Sequence, residues 1–264
     1  MLTRCWATRS NRKCWLAAAM LLAGLCIGCK AHASGCFDDW FCIEIHPHKE
    51  GHQVELRRVA PFPVVVTVLS SALEPTHIFT AALNTDKAYV LGHTVSPRAF
   101  WQTMRVRWTG GVLNATHNNA VKYRYPLQPK EQYRIVQGFN GGYSHQGRSR
   151  FSVDIAAPVG TPVYAARAGT VIDVVESHRQ GGPSRRYAPY ANYIIILHDD
   201  GTTGEYFHLK NQGAEVERGD QVTIGQLIGY SGNTGFSSLP HLHFGVYRAK
   251  PNGSYESVAF DFTK

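Results

Sequence analysis

The chain has 264 residues, enough for one large domain or two medium domains with their own cores. Hydrophobic residues make up 44% and charged residues 17%, a composition that excludes an intrinsically disordered chain. The formal net charge is +8, but five basic residues and no acid lie in the first 33 positions. Without that segment the chain has 22 basic and 19 acidic residues. From this small net charge, no nucleic-acid partner is expected.

The first 33 residues are predicted to be a cleaved signal peptide. Basic residues precede an apolar run over 14–29, and Ala31-His32-Ala33 offers a small-x-small cleavage site. The run has 16 residues, fewer than the roughly 20 that a membrane span needs, so no stable span is expected. Two alternatives stay open, a lipoprotein signal ending at Cys29 and an uncleaved anchor. The expected location is periplasmic or secreted.

Two cysteines remain after the signal segment. Cys36 and Cys42 form an isolated pair, which in an oxidising compartment predicts a disulfide near the mature N-terminus. Two free thiols are the alternative. A metal role is not expected, because no nearby set of cysteines and histidines completes a site.

Residues 34–128 are predicted to form a β-sandwich-like accessory domain. A buried strand is expected over 64–69, and alternating strands are expected over 104–108 and 121–126. The stretch 127–130 is typical of a linker. Three roles stay open for this domain. It could bind wall polymer or a partner, it could cover a groove and so inhibit activity, or it could be a spacer.

Residues 131–264 are predicted to form a second, β-rich domain without a long helix. Turns rich in glycine, proline and aspartate separate its strands. The polar loop over 180–186 is interpreted either as the wall of a groove or as an ordinary surface loop. The predicted strands are 134–137, 152–156, 163–166, 170–176, 193–197, 204–209, 222–224, 227–230 and 242–247.

Two histidines in Pro240-His241-Leu242-His243-Phe244 are the strongest chemical signal in the chain. Side chains alternate faces along a strand, so His241 and His243 point one way while Leu242 and Phe244 point into a core. Paired imidazoles on a rigid strand suit a metal site when another nitrogen or oxygen ligand lies near.

Further polar residues can complete such a site. Asp154 lies on a predicted strand whose neighbours are apolar, so its carboxylate needs a partner there. His145 precedes it by nine positions in a loop rich in glycine and serine. Tyr206 and His208 are expected to share one face of another strand. Spacing alone does not show that these segments meet.

Taken together, these segments resemble the lysostaphin-type, LytM-like zinc metallopeptidases. The family's first zinc motif is similar to His145 followed by Asp154-Ile155-Ala156-Ala157-Pro158-Val159-Gly160-Thr161-Pro162. Its Tyr-x-His-Leu motif matches Tyr206-Phe207-His208-Leu209, and its last motif matches Pro240-His241-Leu242-His243. The resemblance runs over about 137–248. Leu239 departs from the glycine that the family usually has before Pro-His-Leu-His.

The resemblance implies an antiparallel β-sheet metallopeptidase domain over 131–264. It implies Zn²⁺ held by His145, Asp154 and His243, with water in the fourth position, as in a catalytic zinc site. It also implies that His241 acts as the general base and that His208 hydrogen-bonds the water or the developing oxyanion.

The implied function is a secreted zinc endopeptidase that hydrolyses peptide crosslinks of bacterial peptidoglycan. One alternative is a non-catalytic LytM-like protein that binds the wall or activates another cell-wall hydrolase. A second is a lipoyl or biotinyl carrier domain, since Asp86-Lys87-Ala88 mimics a lipoylation tripeptide and 216–222 is similar to a carrier hairpin. Lys87 lies far from that hairpin, which argues against the carrier.

Overall fold

The computed structural model describes residues 33–49 and 51–263. These residues are mostly β-strand, in largely antiparallel sheets, which confirms the predicted fold class. The predicted signal segment, including the rival lipoprotein site at Cys29, lies outside the described residues apart from Ala33. Within the described ranges, no helix is long and apolar enough to cross a membrane.

The described residues divide into two compact units. One unit holds Val66–Arg107 and the described part of the chain up to Pro61. The other unit holds Phe62–Val65 and the chain from Trp108 onward. The predicted domain limits at 128 and 131 stay a prediction.

Seven strands and one α-helix make up the first part of the described chain. The strands are β1 (Ala33–Phe37), β2 (Phe41–His48), β3 (Gly51–Arg58), β4 (Val64–Leu69), β5 (Ile78–Leu83), β6 (Tyr89–Thr94) and β7 (Arg105–Gly110). They form a four-stranded sheet in the order β1-β2-β3-β6 and a three-stranded sheet in the order β5-β4-β7. The predicted buried strand over 64–69 is β4, whereas a sandwich arrangement of the two sheets stays a prediction.

A disulfide joins the first two strands. Cys36 and Cys42 lie directly opposite each other in the antiparallel pairing of β1 with β2, and they are bonded to each other. The predicted bridge is therefore confirmed.

The helix α1 (Pro97–Thr103) is short and has clear local causes. The side chain of Ser96 accepts a hydrogen bond from the backbone N–H of Ala99 at 3.2 Å, which satisfies one of the free donors at the helix start. Pro97 fits the first helical position because it lacks an N–H. Phe100 is fully buried and fixes the helix against the fold.

Fifteen further strands follow in the described chain. They are β8 (Lys122–Tyr123), β9 (Ile135–Gln137), β10 (Ser152–Ala156), β11 (Pro162–Tyr164), β12 (Gly169–Val175), β13 (Gly181–Gly182), β14 (Tyr193–Leu197), β15 (Thr203–Phe207), β16 (Leu209–Ala214), β17 (Gln221–Val222), β18 (Leu227–Ser231), β19 (Gly235–Phe236), β20 (His241–Lys250), β21 (Ser254–Val258) and β22 (Asp261–Phe262).

The main sheet of this part has eight strands. Seven run in the order β17-β12-β14-β15-β20-β10-β9, and β21 pairs with β20. One face of the sheet is apolar: Ile155, Tyr206, Leu242 and Phe244 are completely buried in the same hydrophobic core. Because side chains alternate along a strand, the residues between them lie on the opposite face.

The nine strands predicted for the second domain all occur, with ends shifted by at most three residues. The clearest difference lies at the end of β15. The predicted strand over 204–209 stops at Phe207, because His208 adopts a left-handed backbone conformation with φ of 66°. The chain turns there and continues directly as β16.

The predicted polar loop over 180–186 is more ordered than expected. Its glycines form β13, which pairs in parallel with β19, and a 3₁₀ helix follows over Arg185–Tyr190. Gly181 is required there, since an added Cβ would lie 1.8 Å from the carbonyl oxygen of Asn233. The loop is therefore tied to the strand that precedes the His-x-His segment.

Candidate metal centre

The non-core face of the main sheet carries a row of polar residues across three neighbouring strands. In β20, His243 lies opposite Asp154 of β10 on one side and Phe207 of β15 on the other. Directly opposed residues in antiparallel strands place their side chains on the same face. The register therefore brings Asp154 and His243 together, which their spacing in the sequence did not show.

His145 completes this group from a loop. Its backbone N–H bonds the carbonyl of Gly141 at 3.0 Å, and its ring nitrogen Nδ1 lies 2.9 Å from the carbonyl oxygen of Gly138. The side chain is completely buried. These two contacts fix the direction of the ring, so its other nitrogen, Nε2, faces the sheet.

Three possible ligand atoms converge at this point. His145 Nε2 lies 3.0 Å from Asp154 Oδ1 and 3.3 Å from His243 Nδ1, and His243 Nδ1 lies 2.8 Å from Asp154 Oδ1. Among the described residues, this is the group of histidines and acids whose ligand atoms all lie within 4.8 Å of one another. The predicted ligand residues are thus brought together, and their role as ligands stays a prediction.

The hydrogen atoms of these rings explain why the group suits a cation. A carbonyl oxygen only accepts, so Nδ1 of His145 donates to Gly138 and a neutral ring has a lone pair at Nε2. That lone pair faces a carboxylate oxygen and a second ring nitrogen, an arrangement that is repulsive unless a proton or a metal cation lies between them. A tetrahedral zinc with bonds of about 2.0–2.1 Å separates its ligand atoms by roughly 3.3 Å, so the residues present fit the ion.

The second nitrogen of His243 is held by residues on the same face. Its Nε2 lies 3.1 Å from the hydroxyl of Tyr247, which lies 2.7 Å from Oγ of Ser152. Gly245 makes room for this arrangement, since an added Cβ would lie 2.7 Å from both Ser152 Oγ and the Tyr247 ring. With Nδ1 facing the group of ligand atoms, Nε2–H donates to Tyr247 and fixes the ring orientation.

Asp154 is oriented by a glutamine. Gln137 donates through Nε2 to Asp154 Oδ2 at 2.8 Å and to Ser144 Oγ at 2.7 Å. Gln137 lies directly opposite Asp154 in the pairing of β9 with β10. This leaves Oδ1 of Asp154 for His145 and His243.

His241 and His208 lie beside the three predicted ligand residues. His241 Nδ1 donates to the carbonyl oxygen of Leu239 at 2.7 Å, and its Nε2 lies 3.6 Å from Asp154 Oδ1. His208 Nδ1 donates to the carbonyl oxygen of Thr234 at 2.7 Å. The rings of His208 and His241 are 4.6 Å apart between centroids. All five predicted site residues therefore lie in one cluster.

Burial governs the protonation of this cluster. Burial acts to raise the pKa of the Asp154 carboxyl, but contacts with His145 and His243 outweigh it and hold that pKa well below its usual range. Burial lowers the pKa of His243 to about 4, against the opposing effect of Asp154. Burial, together with the neighbouring His241 and His243, lowers the pKa of His208 well below its usual value. The carboxylate is thus charged and both imidazoles are neutral near neutral pH, which for Asp154 and His243 is the form that binds a metal.

One predicted placement is wrong. Tyr206 and His208 do not share a face, because the left-handed backbone at His208 reverses the alternation. Tyr206 is completely buried on the core side, and its hydroxyl accepts a hydrogen bond from the backbone N–H of Ala166 at 2.7 Å. It packs in the core and takes no part in the cluster.

Sequence reasoning missed three supporting residues, which are Gln137, Tyr247 and Thr234. The contact of Gln137 depends on strand pairing and that of Thr234 on a loop carbonyl, and no local motif signals either. Tyr247 lies four positions after His243 on the same strand, so period-2 alternation alone predicts a shared face. The Tyr247 ring folds back over Gly245, where a side chain would collide with it. The glycine between His243 and Tyr247 is therefore the sequence feature that could have indicated this contact.

Residues 148–255 match the sequence model of Peptidase family M23. His145 lies three positions before this match, whereas Asp154, His208, His241 and His243 lie inside it.

Two curated proteins illustrate the similarity. The peptidoglycan DD-endopeptidase ShyA of Vibrio cholerae serotype O1 is 36% identical over 134 residues, which cover 48% of this chain and 28% of that protein. Lysostaphin of Staphylococcus simulans is 37% identical over 108 residues, which cover 40% of this chain and 18% of that protein. The chain thus spans less than a third of the length of these relatives.

Among solved structures, lysostaphin from Staphylococcus simulans aligns with 29% identity and a TM-score of 0.36, covering 48% of this chain and 47% of that one. Residues 148–255, which match the family model, carry the Tyr-x-His-Leu motif followed by the His-Leu-His motif, the same order as in the family. Over residues 148–255 the chain therefore matches Peptidase family M23, and it is similar there to lysostaphin, as the resemblance predicted.

Proposed function

We propose that this protein is a zinc-dependent endopeptidase that hydrolyses peptide crosslinks of bacterial peptidoglycan. The observation that carries the proposal is the convergence of His145 Nε2, Asp154 Oδ1 and His243 Nδ1 within 3.3 Å of one another. The relatives include peptidoglycan DD-endopeptidases, which supports the substrate class.

Zinc is the ion that this donor set suits best. Two imidazoles and one carboxylate are ligands typical of a catalytic zinc, which keeps one position open. When bound, the ion would polarise the scissile carbonyl and make water a stronger nucleophile near neutral pH. Asp154 supplies the one negative charge among the three ligands.

His241 is proposed as the general base. In the neutral ring the proton sits on Nδ1, where it bonds the carbonyl oxygen of Leu239, so Nε2 has a lone pair. That nitrogen lies 3.6 Å from the Asp154 oxygen that faces the ligand group. It is therefore in reach of a water molecule at the group, and it would take the proton from that water and later return it to the leaving amine.

His208 is proposed to orient the attacking water. Its Nδ1 donates to the carbonyl of Thr234, so a neutral ring offers only an acceptor at Nε2. An acceptor can bind a hydrogen of the water, whereas it cannot donate to an oxyanion. Of the two roles that the resemblance implied for His208, the geometry supports contact with the water.

The non-catalytic alternative is not favoured. Loss of a ligand is the usual mark of an inactive relative, and His145, Asp154 and His243 are all present and adjacent. Delivery to the periplasm or outside the cell is part of the proposal, and the bridge between Cys36 and Cys42 supports an oxidising compartment.

Purified full-length protein tests this function. We expect about one zinc per chain by elemental analysis, release of peptide fragments from purified peptidoglycan by mass spectrometry, and loss of release on chelation with recovery on added zinc. His243→Ala serves as the matched inactive variant. Absence of zinc together with hydrolysis that chelators do not affect would contradict the metal assignment, and intact zinc without any hydrolysis would favour the non-catalytic alternative.

A further inference from the structure

An open groove begins beside His241, on the face of the main sheet that carries Asp154 and His243. Its lining includes Pro240, which precedes His241, and Ala156, which lies directly opposite His241 in the pairing of β10 with β20. The groove measures about 620 Å³, whereas a water molecule in the liquid takes up roughly 30 Å³. It therefore has room for a residue of a bound peptide.

Arg134 is fixed at the edge of this groove by the sheet. Its carbonyl oxygen accepts a hydrogen bond from the backbone N–H of Ala156 at 3.1 Å. The next residue, Ile135, pairs with Ile155, whose side chain lies in the core. Successive side chains along an extended chain point to opposite faces, so the Arg134 side chain lies on the face that carries His241. Its place in the groove lining agrees with this direction.

The guanidinium of Arg134 is open to a ligand. The residue is exposed, and it makes no ion pair or side-chain hydrogen bond within the part of the chain that the structure describes. An acid, Glu131, also lines the groove, from the 3₁₀ turn over Lys130–Gln132. Since the backbone of Arg134 is the one that bonds β10, the positive charge is the one held beside the floor of the groove.

The position of the groove determines which part of a substrate it can hold. His241 is the proposed base that returns a proton to the leaving amine, so the residue that carries this amine must lie beside His241. Arg134 is two strand spacings from His241, by way of Ala156, or roughly 10 Å between backbones. The amine and the carboxyl group of an amino acid share one carbon. The carboxyl group of the amine-side residue therefore falls between His241 and the long side chain of Arg134.

We propose that this groove binds a free carboxylate on the amine-side residue of the scissile bond, with Arg134 as its counter-ion. The planar guanidinium matches a carboxylate through two parallel hydrogen bonds. The inference rests on the proposed endopeptidase function and names a feature of its substrate. Arg134 is a specificity residue in this proposal and takes no part in bond cleavage.

The proposal separates two kinds of crosslink. The carboxylate is free where the cleaved amide is made by the side-chain amine of a diamino acid whose carbon also bears a carboxyl group, or by a C-terminal residue. It is absent where the chain continues through that carboxyl group, as it does inside a peptide bridge. Direct crosslinks to a diamino acid are therefore the expected substrates.

Arg134→Gln tests the proposal, since it removes the charge and keeps a polar side chain. The matched control is Glu131→Gln, which removes a charge of the opposite sign from the lining of the same groove. Two crosslinked peptide dimers serve as substrates for the full-length, zinc-loaded proteins. They are identical except that the amine-side residue bears a carboxylate in one and a carboxamide in the other.

We expect the wild type to show a kcat/KM about 3- to 30-fold higher for the carboxylate dimer, mainly through KM. This range lies between the effect of an exposed ion pair and that of a charged hydrogen bond. Arg134→Gln should lower the value for the carboxylate dimer by the same factor and remove the preference. Glu131→Gln should keep the preference without any loss, and the zinc content of all three proteins should be equal.

Two results would overturn the proposal. One is equal loss by Arg134→Gln on both dimers, which would indicate a structural role for the arginine. The other is a wild-type protein without a preference for the carboxylate, a measurement that requires no variant. If the wild type cleaves neither dimer, the endopeptidase function fails separately. Calorimetric titration of the wild type with each dimer then still tests the groove, and equal affinity for the two, or no binding of either, would refute carboxylate binding.

Discussion

Tyr247→Phe removes one hydroxyl that the structure places directly behind His243, a proposed zinc ligand. That hydroxyl lies 3.1 Å from His243 Nε2 and 2.7 Å from Ser152 Oγ. Without it, the buried Nε2–H of His243 has lost its acceptor, and the ring is less firmly oriented. Loss of such an outer partner typically weakens metal affinity by about 10- to 100-fold, so we expect a zinc Kd raised by that factor.

The assay is competition for zinc between the full-length protein and a chromophoric chelator at neutral pH. Burial, assisted by the charge of Glu205, raises the pKa of the Tyr247 hydroxyl, so it is protonated throughout the assay range. Hydrolysis should stay close to the wild-type rate once zinc is saturating, because the hydroxyl contacts a ligand and not the reacting atoms.

Tyr206→Phe is the matched control. It also removes a hydroxyl from a completely buried tyrosine, but that hydroxyl bonds the backbone of Ala166 on the opposite face of the sheet. We expect it to lower the free energy of unfolding without changing the zinc Kd. Equal weakening of zinc binding in both variants, or an unchanged Kd in Tyr247→Phe, would refute the orienting role.

Three further outcomes are expected. His241→Ala should keep its zinc and lose about 10²- to 10⁴-fold in turnover, whereas His243→Ala should lose both; equal loss of zinc would contradict the division into base and ligand. Cys36→Ser should cost less than the ~3 kcal/mol of a 15-residue loop, because the bridge spans a sequence separation of 6, and it should leave hydrolysis intact; abolished hydrolysis would contradict this. Burial lowers the pKa of His198 to about 4, so the unfolded chain binds a proton there first and the free energy of unfolding falls by about 3 kcal/mol between pH 6.5 and 4. Urea titrations should show a shallower fall for His198→Asn, and an unchanged pH slope would refute the assignment.

Alternation along the strands was enough to place several site residues. Leu242 and Phe244 lie in the core and His243 faces away from it, because each successive side chain in a strand points to the opposite face. The same rule put Asp154 on the face opposite Ile155. The disulfide was likewise predictable from the spacing of its cysteines and the expected compartment.

The rule failed where the backbone left the strand geometry. His208 takes a positive φ at the end of β15, and no local pattern around Tyr206 signals this change. As a result, alternation wrongly predicts that Tyr206 lies on the same face as His208. The Tyr206 hydroxyl instead accepts a hydrogen bond from the backbone of Ala166 on the core side.

The sequence determined the kinds of ligand and the strand faces that carry them, since both follow from residue type and local alternation. Only the tertiary structure decided that β10 and β15 flank β20, and therefore that Asp154 and Glu205 lie beside His243 and its neighbours. Strand pairing joins Asp154 to His243, which lie 89 positions apart. The contact of Gln137 with Asp154 likewise depends on a register that a shift of one residue would reverse.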